Sequence, residues 1–245
     1  FFLVYFVFRM YKSNTKGDAA VSALISGSPT IGFLGFAVLE PIFGTSAAVG
    51  LVIAIVSIEV NALGIPIGLC LLNSGNAQAA ALNGGKKPNP WMPVVNALKQ
   101  PVAWAPILAV ILVLCGVKWP AELDPSFTLL AGANASVAVF AAGITLSSVK
   151  ITINGQVWMG TFLKLIIMPL AILAVGLLFH MEAVNLKMLV VCAALPPAFS
   201  GIIIASRYNT YVATGTSSLA ISTLLFMATC PMWIWITDKA LQIFG

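Results

Sequence analysis

Long apolar stretches recur along almost the whole chain, separated by short polar segments. A helix needs about 20 residues to cross the ~30 Å hydrocarbon core of a bilayer. One partial and seven complete candidate spans lie at about 1–8, 19–39, 46–72, 102–117, 126–148, 157–180, 186–206 and 211–237. The chain is therefore predicted to be an all-α integral membrane protein.

The composition excludes most other classes of protein. The 245 residues are 60% hydrophobic and 8% charged, whereas soluble domains carry about 25% charged residues. An ordinary soluble enzyme, a disordered chain and a disulfide-stapled secreted domain are excluded. The net charge of +5 comes from scattered basic residues, so we expect no nucleic-acid partner.

Motifs of catalysis and metal binding are missing from the sequence. There is no HExxH, GxSxG, P-loop or dinucleotide fingerprint. The four cysteines form no CxxC pair and are expected to be free thiols. We therefore expect no enzyme activity, no metal site and no cofactor.

The first apolar run, Phe1–Phe8, is too short to cross a bilayer and is followed by Arg9 and Lys12. A signal peptide would carry its positive charge before the apolar part. The run is interpreted as the end of a spanning helix that begins outside this chain.

The charges of the loops predict the orientation. Segments 9–18, 73–100, 149–156 and 207–210 hold eight basic residues and one acid, whereas the segments on the opposite side hold three basic residues and five acids. Cytoplasmic loops carry the excess of lysine and arginine. The central loop 73–100 is therefore expected in the cytoplasm and the C-terminus outside, which is the periplasm in a bacterium with an inner membrane.

Two of the apolar stretches are interrupted by helix-breaking residues. One contains Ser28-Pro29-Thr30 and the other Pro196-Pro197, followed by Ser200. A proline inside a helix leaves backbone groups unpaired, which is tolerated in a membrane only where they are buried in protein or line a cavity. The two stretches run in opposite directions, as in an inverted repeat, and such pairs point to a transporter's substrate site. The alternative is that they are ordinary proline and glycine kinks.

The ends of half-helices offer free N–H groups to an anion. A carboxylate is therefore expected to bind among a set of residues at and near the two breaks. The predicted substrate-binding residues are Ser28, Pro29, Thr30, Pro196, Pro197, Ser200, Lys164 and Asn134. Asn134 could instead form hydrogen bonds between helices.

Two charged residues lie inside apolar stretches, Glu59 and Lys164. Such residues normally face a cavity or a partner. Lys164 is predicted to lie near the anion, and the alternative is a side chain that reaches back to the cytoplasmic surface. Glu59 is either a proton carrier or a hydrogen-bonded structural residue, and both residues are candidates for coupling transport to an ion.

Several of these segments resemble the auxin efflux carrier family. Ser28 to Leu39 is similar to the crossover in the family's fourth helix, and Ala194 to Ala198 with Arg207-Tyr208-Asn209 is similar to that in the ninth. Lys164 to Pro169 resembles a segment of the eighth helix. The resemblance covers the whole chain and is closest to the bacterial branch with malonate-type and oxalate-pathway transporters.

The resemblance implies ten helices in two inverted five-helix repeats, with broken helices 4 and 9 crossing. The chain would contain part of helix 3 to helix 10 and lack helices 1 and 2. It also implies the following segments: 1–72 and 151–245 in a mobile transport domain, 73–100 as the cytoplasmic loop, and 101–150 as scaffold helices 6 and 7 that contribute to a homodimer. Thr30 departs from the asparagine of plant members and malonate carriers, and Pro197 from the glutamine of plant members.

These observations together predict a secondary transporter of a small organic anion, a mono- or dicarboxylate such as malonate or oxalate. It would work by elevator-type alternating access in a lipid bilayer, with H⁺ or Na⁺ as a possible coupling ion. The alternative is a membrane receptor or sensor that binds a small carboxylate without transporting it.

Overall fold

The computed structural model describes residues 1–11, 14–44, 46–82, 101–117, 120–126 and 151–244, with single positions between 91 and 147. The helices of these residues are α1 (Phe2–Met10), α2 (Lys16–Ser26), α3 (Ile31–Phe43), α4 (Ala47–Ile58), α5 (Ile65–Leu82), α6 (Pro101–Leu114), α7 (Gly155–Phe162), α8 (Met168–Leu178), α9 (Ala183–Ala194), α10 (Phe199–Tyr208) and α11 (Val212–Phe244). A 3₁₀ turn covers Ala121–Leu123.

Among the described residues, three continuous helical segments are long and apolar enough to cross a membrane: Ala47–Gln78, Gly155–Leu178 and Val212–Ile243. The prediction of an all-helical membrane protein is confirmed for the described residues. Three boundaries were wrong, and the first is the end of α3 at Phe43, beyond the predicted end at 39. The central loop was predicted to begin at 73, but α5 continues to Leu82, and α11 continues to Phe244, beyond the predicted end at 237.

Two of the long segments contain a short π-helical turn. The first π segment, Glu59–Gly64, joins α4 to α5, and the second, Leu163–Ile167, joins α7 to α8. A proline follows each π segment at the second position, Pro66 and Pro169. Because proline has no N–H, the carbonyl four residues earlier loses its helical partner. The carbonyl of Leu165 accepts a hydrogen bond from Trp233 Nε1 instead, at 2.7 Å.

The half-helices on either side of the two interruptions form the centre of the fold. Helix α2 packs against α1, α5 and α10, and α9 packs against α4, α8 and α11. Leu24 and Ile25 of α2 are buried in one apolar cluster with Leu69 of α5 and Ile202 of α10. This arrangement surrounds both interruptions with protein.

The predicted scaffold segment 101–150 is described for α6, the 3₁₀ turn and single positions. Asn134 lies outside the described residues. The division of the chain into a transport domain and a scaffold stays a prediction.

Candidate functional site

The two interrupted stretches meet at their breaks. Pro29 and Pro197 face each other in an antiparallel bridge. The Thr30 N–H donates a hydrogen bond to the Pro196 carbonyl at 3.1 Å, and the Ala198 N–H donates one to the Ile25 carbonyl at 3.1 Å. Each break therefore satisfies backbone groups of the other, which makes non-helical backbone tolerable at membrane depth.

Prolines cause the second break. Leu195 leaves α9 with extended dihedral angles, φ −51° and ψ 149°, as expected before a proline. Pro196 and Pro197 have no N–H to offer the carbonyls of Cys192 and Ala193, four residues earlier. The Cys192 carbonyl accepts a hydrogen bond from the Leu195 N–H at 3.3 Å, and the Ala193 carbonyl requires a donor from elsewhere.

Lys164 supplies that donor. Its Nζ donates a hydrogen bond to the Ala193 carbonyl at 3.0 Å, and the side chain is only 1% exposed. A cation at this position also complements the partial negative charge of the α9 C-terminus. The side chain therefore reaches the crossover, and the alternative in which it extends to the cytoplasmic surface is wrong. The ammonium group has three hydrogens, so it can donate hydrogen bonds to further acceptors.

A small cavity of about 110 Å³ lies where α3 and α10 begin. Thr30, Ile31 and Gly32 line it from one helix start, and Phe199 and Ser200 from the other. The first N–H groups of a helix have no acceptor within that helix, and no side chain caps either start. Two helix N-termini thus contribute to one cavity.

Besides the helix N-termini, Thr30 contributes a polar side chain to the lining of this small cavity. Thr30 is 2% exposed, and its Oγ1 has no hydrogen-bond partner in the protein. Because buried polar groups are normally hydrogen-bonded, this unpaired hydroxyl is a candidate for binding a ligand.

A larger cavity of about 440 Å³ lies beside the first break. Ser28 and Pro29 line it together with Glu59 and Lys164, the two intramembrane charges that the sequence placed on separate helices. Pro29 and Val60 contribute to both cavities. The two cavities are therefore neighbours around the crossover.

The predicted site residues divide into three groups. Ser28, Lys164 and Glu59 line the larger cavity, Thr30 and Ser200 the smaller one, and Pro29 both. Pro196 and Pro197 form the crossing itself. Asn134 is outside the described residues.

Sequence reasoning missed Asn61, which lines the small cavity. Its Nδ2 donates a hydrogen bond to the Ser57 carbonyl at 2.8 Å, so its side chain is held in place by its own helix. The available signal was an amide side chain inside an apolar span, two positions after Glu59. Cys192, which lines the larger cavity, gave no signal beyond that of a small apolar residue.

Comparison with known proteins identifies the family and several relatives of this chain. The family model described as membrane transport protein matches residues 1–234. "Uncharacterized transporter YfdV" of Escherichia coli (strain K12) is 54% identical over 237 residues, which cover 97% of this chain and 74% of the relative. The proteins of the same name from Escherichia coli O157:H7 and Shigella flexneri show the same identity and coverage.

The family model matches nearly the whole chain, and more than half of the aligned residues are identical to those of YfdV. Both findings support the same assignment. The chain belongs to the membrane transport protein family of the auxin efflux carriers, and within that family it is similar to the transporter YfdV.

Proposed function

We propose that this protein is a secondary transporter of a small organic anion, a mono- or dicarboxylate such as malonate or oxalate. The observation that carries the proposal is the small cavity at the crossover, where the starts of α3 and α10 meet the unpartnered hydroxyl of Thr30. Membership in a family of membrane transport proteins supports transport rather than catalysis.

The chemistry of this cavity favours a carboxylate. Helix N-termini present N–H donors and partial positive charge, and the hydroxyls of Thr30 and Ser200 can donate further hydrogen bonds. These groups suit an acceptor-only anion. The small volume of about 110 Å³ favours a short carboxylate over a large aromatic acid.

Charge balance would come from the larger cavity. The ammonium of Lys164 keeps hydrogens beyond the one given to Ala193, and it can offset the charge of a bound anion. Glu59 lines the same cavity, and intramembrane carboxyl groups form proton relays in other transporters. We propose H⁺ or Na⁺ as the coupling ion.

Movement would follow the family's inverted-repeat plan. In an elevator mechanism, the helices around the crossover would move with the substrate against scaffold helices, and the scaffold would form a homodimer. The crossing breaks, held together by the Thr30 to Pro196 and Ala198 to Ile25 hydrogen bonds, support movement of this region as a unit. The protein would lie in the bacterial inner membrane.

A thermal-shift screen tests the substrate site. We expect malonate, oxalate or a similar carboxylate to raise the melting temperature of the parent protein. Thr30→Val, which removes the unpartnered hydroxyl at nearly constant volume, should weaken the shift. Thr223→Val is the matched control, because the Thr223 hydroxyl donates to the Leu219 carbonyl of its own helix. Equal shifts in both variants would contradict the proposed site.

Substitution of Lys164 should separate its two roles. In Lys164→Met the Ala193 carbonyl loses its donor, and an unpaired buried polar group costs about 1–3 kcal/mol. In Lys164→Gln the amide can still donate, so this variant should retain more of the parent's melting temperature. Both variants should bind carboxylate more weakly. Unchanged carboxylate affinity in Lys164→Gln would remove the lysine from the substrate site.

Accessibility of introduced cysteines tests the orientation. In a background without the four native cysteines, Gly84→Cys and Lys150→Cys should react with a membrane-impermeant thiol reagent from the cytoplasmic side. Asp124→Cys should react from outside. The reverse pattern would contradict the orientation based on loop charges.

A further inference from the structure

The two interrupted helices end in different surroundings at the crossover. Helix α9 ends beside the ammonium of Lys164, which bonds the Ala193 carbonyl. Helix α2 ends at Ser26, and it packs against α7 and α11, which carry further buried hydroxyl groups. A helix C-terminus carries partial negative charge and favours a cation, so the end of α2 has the electrostatic character that a mobile cation requires.

Four buried hydroxyl side chains form this cluster, each at most 3% exposed: Ser26 of α2, Thr161 of α7, and Ser218 and Ser222 of α11. Ser222 Oγ donates to Thr161 Oγ1 at 3.2 Å. A Cβ atom added to Gly160, the neighbour of Thr161, would lie 2.9 Å from Ser26 Oγ and 3.1 Å from Ser218 Oγ. These last two oxygens therefore approach the same point beside α7.

Ser218 differs from three neighbouring hydroxyl residues of α11 in having no acceptor within the helix. Thr216, Ser217 and Thr223 each donate to the carbonyl four residues earlier, at 2.7–2.8 Å. Ser218 Oγ is buried and has no hydrogen-bond partner in the protein. Because an unpaired buried hydroxyl is unfavourable, its position beside Ser26 and Gly160 points to a ligand.

We propose that the oxygens of Ser26, Thr161, Ser218 and Ser222 bind Na⁺. Hydroxyl and carbonyl oxygens are hard ligands, and half-helix C-termini coordinate Na⁺ in other transporters. The cluster contains no carboxylate, which favours a monovalent ion over Ca²⁺ or Mg²⁺. The role of Na⁺ as the coupling ion of the carrier rests on the proposed function, whereas the binding of Na⁺ at this site does not.

Lys164 lies four residues after Gly160 on the same helical segment, which is about 6 Å of rise. Its positive charge opposes a sodium ion in the cluster, and its hydrogen bond to Ala193 directs the ammonium towards the end of α9. Lys164→Gln should therefore lower the sodium concentration that gives half of the full rise in melting temperature. An unchanged or higher concentration would contradict the position of the site.

Melting temperatures of the purified protein in sodium chloride and choline chloride, at equal ionic strength and without carboxylate, test the site. For the parent and for Thr223→Ala, we expect the melting temperature to rise saturably with sodium concentration. For Ser218→Ala we expect no such rise, and this variant should fold because it removes an unpartnered hydroxyl. Binding of radiolabelled sodium should follow the same order.

Equal melting of the parent in both salts, or a full sodium effect in Ser218→Ala, would overturn the sodium site. A sodium effect without any carboxylate binding would instead keep the site and remove the proposed transport function.

Discussion

A variant with alanine in place of both Pro196 and Pro197 is expected to insert into the membrane and to lose transport. Alanine restores two N–H donors, so the carbonyls of Cys192 and Ala193 regain helical partners. The break between α9 and α10 would close into continuous helix. The bridge between Pro29 and Pro197 would be lost, together with the free N–H groups at the start of α10. The proposed carboxylate site would be lost with them.

The control for this variant is Pro231→Ala. Pro231 also lies inside a helix, α11, but it is exposed and forms neither the bridge nor the hydrogen bonds of the crossover, so its replacement should leave uptake close to that of the parent. Uptake and membrane insertion are measured for both proteins in parallel. Normal uptake by the Pro196 and Pro197 double variant would show that the break is not part of the site.

Replacement of Gly201 by alanine is expected to destabilise the protein. A Cβ atom at Gly201 would lie 2.8 Å from Ile25 Cγ1 and 2.9 Å from the backbone Cα and N atoms of Ile25. Because backbone atoms cannot turn aside as a side chain can, α10 would have to move away from α2. Such overpacking typically costs about 1–3 kcal/mol, and the shift would also disturb the Ala198 to Ile25 hydrogen bond.

Gly50→Ala is the matched control for Gly201→Ala. No atom lies within 4 Å of a Cβ built on Gly50, and alanine favours the helix over glycine by up to about 1 kcal/mol. Thermal unfolding in detergent should therefore rank Gly50→Ala at or above the parent and Gly201→Ala well below both. Equal stability of the two variants would contradict the close packing of α10 on α2.

The breaks could be predicted from the sequence because proline acts locally. Pro29 and the Pro196-Pro197 pair interrupt helices wherever the chain places them, and polar neighbours such as Thr30 marked these interruptions as unusual for a membrane. Lys164 stood out for a similar reason, since a charge inside an apolar stretch requires a partner.

The partners themselves could not be predicted, because they depend on the packing of distant segments. The acceptor of Lys164 is the backbone carbonyl of Ala193. Because every residue has a backbone carbonyl, the sequence does not indicate which one is the acceptor. The second π segment likewise has a distant partner, because its Leu165 carbonyl accepts a hydrogen bond from Trp233 of α11. The extension of α5 to Leu82 was missed because the polar run from Asn73 to Asn76 interrupts the apolar pattern, although the helix continues through it.

Uptake by proteoliposomes tests most directly whether the crossover carries a carboxylate across the membrane. The protein is reconstituted, and accumulation of labelled oxalate and malonate is followed for the parent, Thr30→Val and Thr223→Val. We expect saturable accumulation by the parent and Thr223→Val and a clear reduction in Thr30→Val. Carboxylate binding without accumulation by the parent would contradict this expectation and would indicate a receptor instead.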